Sequence, residues 1–476
     1  MPDVGPRVAI IGGGVAGLAV AWRLENPDDP TAPVPEVTVL EAASEVGGNL
    51  RTTVDGEFRV EQGANGFLDS EPATLELARA AGLGDQLIRS SDAARRRFLY
   101  VRGKVREIPT SPGAFLASDL FSWPAKLRML GEILVPRRAD LGRAAEAPDT
   151  DETVWEFGQR RLGRAFADTM LDPMVRGITG GECRRVSLAA AFPRMVELEH
   201  DHGGLFRAMI ALGRQRRREG KAREGETGGP SGVLTSFRGG MQTLPRALAD
   251  GLRGEVRTGG AVERLEPGDE GWWITTGDQR LGPFAAVVDS APAHAACHYH
   301  PDAEVRELLA GIRYNPIVVT AVAFRREDVV HPLDGFGMLT PSTEKRPLLG
   351  VLWTSSIWQA RAPEGTVLLR CMSGEESWLD LPDEEVVRRT CAELDHLYGL
   401  RGQPIRSWVF PWREAIAEYE VGHLARLARL EDALARTPGL VLAGSSYHGI
   451  AVNACMKDAS RVADRVRDHL HARAAA

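Results

Sequence analysis

The chain has 476 residues, 43% apolar and 26% charged, with a formal net charge of −7. This is ordinary globular composition, with core enough for about two to four domains and no basic stripe of the kind that nucleic acid would demand. Five cysteines, at 183, 297, 371, 391 and 455, form no CxxC pair, which speaks against a disulfide framework or a zinc ribbon and for a reducing compartment. The N-terminus shows no signal-peptide succession, and no stretch is apolar for long enough to cross a bilayer. A cytoplasmic location is expected, with peripheral contact to a membrane left open.

The apolar run Val8–Ile11 ends in Gly12-Gly13-Gly14-Val15-Ala16-Gly17, and an Ala/Leu-rich helical stretch follows. This order predicts a strand, a tight glycine turn and a helix. Gly12 permits the turn, Gly14 lets the backbone approach a pyrophosphate, and Gly17 allows close packing of helix on strand, with the phosphates at the positive helix end. Residues 26–36 carry four prolines and read as an exposed excursion. A second strand, Val37–Leu40, ends at Glu41, where an acid can hold adenosine ribose hydroxyls. Gly47 and Gly48 extend a close backbone path past that acid.

Arg95–Val101 and Gly103–Pro109 read as a hairpin of two short strands, with Arg95 and Arg96 as surface charges. Apolar residues at helical spacing fill 112–138 and 153–174, so 108–215 is expected to be a helical insertion. Its Phe115, Leu116, Leu120, Phe121 and Trp123 suit a membrane contact or a channel lining, but plain core is the commoner explanation. Residues 216–230 have no large apolar side chain and read as a mobile loop. Beyond it are expected a helix after Phe237, one strand from Val256 to Leu265 paired with Trp272–Ile274, and a buried strand at 285–292 returning to the nucleotide domain. Ile317–Phe324, Leu348–Trp353 and Thr366–Met372 read as strands, Asp383–Tyr398 as a helix, Leu440–Gly444 as a strand, and Ala451 onward as a terminal helix.

The pattern divides the chain into a discontinuous nucleotide domain (1–94, 231–292, 406–476), a substrate domain (95–107, 293–405) and the insertion. No Ser-His-Asp, HExxH or paired-carboxylate signature is present. His294, His298 and His300 lack matching acids, so no metal site is expected.

Several segments carry a resemblance: RFLYVRGK from Arg97, RGITGG from Arg176, FRGGMQTLP from Phe237, DGFGMLTP from Asp334 and LAGSSYHGIAVNACM from Leu442. Together with the glycine motif they resemble the flavin-dependent protoporphyrinogen oxidases, within the amine-oxidase and phytoene-desaturase superfamily. The resemblance implies an α/β and α+β fold with a Rossmann-like, GR2-type FAD domain, a mixed-sheet substrate domain and a helical insertion. It implies FAD as cofactor and a six-electron oxidation of protoporphyrinogen IX to protoporphyrin IX with O2 as acceptor. By that resemblance Arg97 pairs a substrate propionate, the Gly177 backbone faces the reacting methylene bridge beside Ile178, and Phe336, Leu339 and Met372 sandwich the tetrapyrrole. Gly12, Gly14, Gly17, Glu41, Gly47, Gly48 and Arg51 resemble contacts to the AMP half, and Val262 the backbone partner of adenine. Trp412, Ala451, Val452 and Asn453 resemble the isoalloxazine surroundings, and no acid or base residue is evident.

The chain departs from the family at a few positions. Glu45 stands where the ExxxRxGG pattern has Arg. Thr179 replaces an aromatic, which is expected to widen or polarise the pocket, and Glu182, Ala454 and Ala417-Glu418 differ as well. Alternatives are a coproporphyrinogen III oxidase, an amine oxidase or desaturase, and a non-catalytic flavoprotein. Oligomeric state, including a homodimer, stays open.

Overall fold

A computed structural model describes residues 5–29, 32–218 and 232–475, the side chains of 216–218 excepted. The expected loop at 216–230 lies outside the described residues except for its first three, which end the helix Leu205–Arg218.

The nucleotide sheet has five parallel strands in the order Glu255–Arg257, Glu36–Leu40, Arg7–Ile11, Ala286–Asp289, Leu440–Leu442. Both faces are covered, so the strands other than the edge strand Glu255–Arg257 read as nearly continuous apolar runs rather than alternating ones. Helix Val15–Glu25 packs on one face beneath the terminal helix Val452–Ala475 and is buried nearly all round. Each leucine it buries contributes about 1.5–3 kcal/mol. Glycine turn, Glu41, Ser290 and Ala443 all follow the carboxyl ends of neighbouring strands, where open α/β sheets bind ligands.

The second large sheet has seven strands in the order Arg406–Ala417, Tyr314–Arg325, Thr366–Ser373, Leu348–Trp353, Gly337–Leu339, Phe98–Val101, Lys104–Glu107. All neighbours are antiparallel except Gly337–Leu339 with Phe98–Val101. Helix Asp383–Tyr398 closes its outer face through a core of Val318, Val322, Leu369 and Leu394. The inner face looks toward the nucleotide domain.

Three expectations change. Residues 406–417 belong to the edge of the seven-stranded sheet, not to the nucleotide domain, so that domain's last piece starts after them. The strand expected from Val256 to Leu265 is two: Glu255–Arg257 joins the parallel sheet, and Arg264–Gly268 pairs with Gly271–Thr276. Gly259, at φ +80°, breaks the run between them. The apolar patch of the insertion is only partly core. Leu120 and Phe121 are buried, whereas Trp123, Leu127 and Leu134 are 63%, 65% and 82% exposed.

The insertion is held by buried charge. Arg161 and Glu132 are both fully buried and paired, and Arg160 bridges Glu152 and Glu199. No helix among the described residues is long and apolar enough to cross a membrane.

Candidate active site

The glycine turn is built around Glu41. Its carboxylate accepts the Gly13 amide at 2.7 Å through Oε2 and the Ala43 amide at 2.7 Å through Oε1. Gly12 has φ +98°, and a Cβ on Gly17 would lie 2.3 Å from both the Gly12 carbonyl oxygen and Ser290 Oγ. Gly14 and Gly47 form a bridge, and the Gly47 amide donates to the Gly13 carbonyl at 2.9 Å. The two glycine segments therefore lie directly against each other and form one stretch of bare backbone. Val262 sits on the segment that returns past Glu41, where the Gly260 amide donates to the Glu41 carbonyl at 3.2 Å. Among the described residues, neither the Val262 amide nor its carbonyl has a hydrogen-bond partner.

Between the sheets runs the segment Glu61–Gly66. Arg370, buried on the inner face of the substrate sheet, donates to the carbonyls of Glu61 at 2.8 Å and Gly63 at 2.6 Å. Burial lowers the Arg370 pKa to about 10, because desolvation disfavours the cation more than the nearby Glu61 carboxylate favours it. Trp412 Nε1 donates to the Gln62 carbonyl at 3.2 Å, which fixes the indole against the same segment. Arg370 was not anticipated as part of the site. Its only sequence signal is a cation at an inward position of a buried strand.

One row of cross-strand partners gathers the substrate-side residues. Leu339 pairs with Gly350, Gly350 with Met372, Met372 with Val319 and Val319 with Phe410, so all five share a face. Leu339 folds over Gly350, where a Cβ would lie 2.8 Å from Leu339 Cδ2. Phe336 and Trp412 join Met372 in one apolar cluster. Helix Asp172–Thr179 closes over it, and a Cβ on Gly177 would come within 2.6 Å of Leu339 Cδ2. Ile178 is exposed.

Arg97 stands at the end of this row. The Phe336 amide donates to the Arg96 carbonyl at 2.8 Å, and the Arg97 guanidinium lies 5.2 Å from the centre of the Phe336 ring. Solvent reaches the side chain, yet the surrounding protein desolvates it enough to hold its pKa below the usual arginine value. Among the described residues no carboxylate pairs with it. Arg96 differs, pairing with Glu107 at 2.8 Å and with Asp334.

The departures have structural explanations. Thr179 does not polarise the pocket: it is buried, and its hydroxyl donates to the Val175 carbonyl at 2.9 Å and accepts the Gly181 amide at 3.0 Å. The short side chain caps its own helix end, a task that an aromatic cannot perform. Glu45 pairs with Arg246 at 2.8 Å and accepts from Gln242 at 3.0 Å, so the acid is matched by a cation from helix Thr243–Asp250; these hydrogen bonds hold its pKa below the usual carboxylate value. Glu418 is buried, pairs with Arg185 and accepts the Glu182 amide at 3.3 Å, tying the turn after Gly180 to the substrate sheet. Asn453 spends its side chain on the fold, donating to the Leu68 carbonyl at 2.9 Å and accepting from Thr74 at 2.7 Å. Its position in the first turn of the terminal helix, beside Ala451 and Val452, leaves only backbone amides to face a ligand.

The residues fit FAD. The bare backbone that Gly12–Gly14 and Gly47–Gly48 form together suits a diphosphate, and Arg51 Nε, just after Gly48 in the chain, and Asn65 Nδ2, in the Glu61–Gly66 segment, are buried without partners. Such orphaned donors call for a polar ligand.

A family model described as flavin containing amine oxidoreductase matches residues 15–467. The coproporphyrinogen III oxidase of Propionibacterium freudenreichii subsp. freudenreichii is 30% identical over 97% of this chain and 91% of its own. Protoporphyrinogen oxidase 2 of Arabidopsis thaliana is 27% identical over 98% of this chain and 94% of its own. The solved structure of a protein from Exiguobacterium sp. 255-15 shares the fold with a TM-score of 0.81 at 23% identity, covering 97% and 98% of the two chains.

Proposed function

The chain belongs to the flavin-containing amine oxidoreductases and is an FAD-dependent oxidoreductase, and from that premise we propose that it oxidises a porphyrinogen to its porphyrin. Protoporphyrinogen IX, taken through three two-electron steps with O2 as acceptor, is the substrate that the apolar lining favours. The observation that carries the reading is Arg97. An unpaired, partly desolvated guanidinium at the rim of an apolar row asks for a mostly apolar ligand bearing a carboxylate.

Bound FAD supplies hydride acceptance, and the six electrons and six protons removed convert three O2 to three H2O2. The chain's own residues supply position. Arg97 receives a propionate, Leu339, Met372 and Phe336 hold the rings, and Gly177, packed directly against Leu339, presents bare backbone to the methylene bridge. Trp412 and Arg370 fix the segment between the two ligands. An amine substrate is disfavoured, since Arg97 would repel it.

A second reading, coproporphyrinogen III, is supported by the identity to the Propionibacterium enzyme and by a second lone guanidinium, described below. Side-by-side oxidation of the two porphyrinogens, followed by porphyrin fluorescence, separates them. Faster turnover of protoporphyrinogen IX supports the first reading, and faster turnover of coproporphyrinogen III replaces it with the second.

A further inference from the structure

Helix Asp172–Thr179 and its C-cap Gly180 present three positions to the substrate sheet. Gly177 meets Leu339, Gly180 meets Ile317, and Arg176 extends Nη1 to the Thr340 carbonyl at 3.4 Å. Arg176 is half-buried and has no carboxylate partner among the described residues. Asp172, one turn earlier, is the obvious candidate partner. It is used elsewhere, with Oδ2 accepting the Ser342 amide at 2.7 Å.

Several guanidiniums around this sheet are neutralised by acids, while Arg370 is spent on the Glu61 and Gly63 carbonyls. Arg346 pairs with Glu393 at 2.7 Å, Arg185 with Glu418, and Arg413 with Asp380. Arg97 and Arg176 are left without such an acid, and they mark opposite ends of one strand. Arg97 lies over Phe336, and Arg176 touches Thr340. Four residues of extended chain separate those ends by about 13 Å at roughly 3.3 Å per residue. That separation is comparable with the breadth of a tetrapyrrole.

We propose that Arg176 is a second substrate-binding residue, receiving a carboxylate on the tetrapyrrole edge opposite the one held by Arg97. The inference rests on the porphyrinogen reading and deepens it, because it ties the number of carboxylates to the chain. Coproporphyrinogen III carries a propionate on every ring, so it can engage both guanidiniums at once. Protoporphyrinogen IX carries its two propionates on adjacent rings and can engage only one. Arg176 therefore sets how well the enzyme accepts the tetracarboxylate.

The test measures KM and kcat for both porphyrinogens with the FAD-loaded enzyme, Arg176→Ala, Arg176→Gln and Arg176→Lys. A hydrogen-bonded charge pair is worth enough that its loss raises KM for coproporphyrinogen III roughly tenfold. KM for protoporphyrinogen IX changes by less than about threefold, and Arg176→Lys falls between because an ammonium lacks the bidentate fork. Arg176→Gln keeps the side-chain length without the charge and covers the case in which the alanine variant does not fold. Equal changes for both substrates overturn the role of Arg176 and leave the porphyrinogen reading standing. If the unaltered enzyme oxidises neither substrate, the reading itself fails and the inference with it.

Discussion

Replacing Arg97 by alanine is expected to raise the KM for porphyrinogen on the order of 10- to 100-fold while the protein still purifies yellow, with FAD bound. The surrounding protein partly desolvates the guanidinium, so a carboxylate there is screened less than at an open surface. Its loss also removes the cation resting on Phe336. Stability should not fall with affinity, because Arg97 makes no ion pair whose loss would strand a partner. A melting temperature no lower than that of the unaltered enzyme, together with weakened substrate binding, separates a ligand contact from a structural one. Unchanged apparent affinity would remove Arg97 from the site.

The second large effect concerns the cofactor. Glu41→Ala is expected to weaken FAD binding on the order of 10- to 100-fold, read by titrating apoprotein with FAD and following flavin fluorescence. Both carboxylate oxygens already accept a backbone amide, yet each keeps a lone pair for a ribose hydroxyl. The alanine variant loses those acceptors and also leaves the buried Gly13 amide unpaired, which loosens the turn that would cradle the diphosphate. Glu41→Gln retains one acceptor oxygen and should lose less. Equal affinity in all three proteins would show that Glu41 serves the fold alone.

Much of this site was legible because its signals are local. A strand, glycines at fixed offsets and an acid at the next strand end specify the nucleotide turn within the first fifty residues, since every part of it is set by backbone conformation. The hairpin around Arg102-Gly103 and helix Asp383–Tyr398 were readable for the same reason. What was hidden depends on partners distant in sequence. Residues 406–417 look the same whether they join one sheet or the other, and only pairing with Tyr314–Arg325 decides it. Pro411 is tolerated there because the strand is at the edge. Thr179 misled because its hydroxyl turns back onto its own helix, and Arg370 and Arg176 escaped notice because an arginine carries no sign of whether an acid awaits it.

The central claim is that a porphyrinogen gives its electrons to FAD bound in this chain. Its most direct test is anaerobic mixing of the holoenzyme with porphyrinogen while flavin absorbance is recorded. Loss of the oxidised flavin band within seconds, matched by porphyrin formation and reversed on admitting O2, is the predicted result. A flavin that stays oxidised in the presence of both protoporphyrinogen IX and coproporphyrinogen III would contradict it.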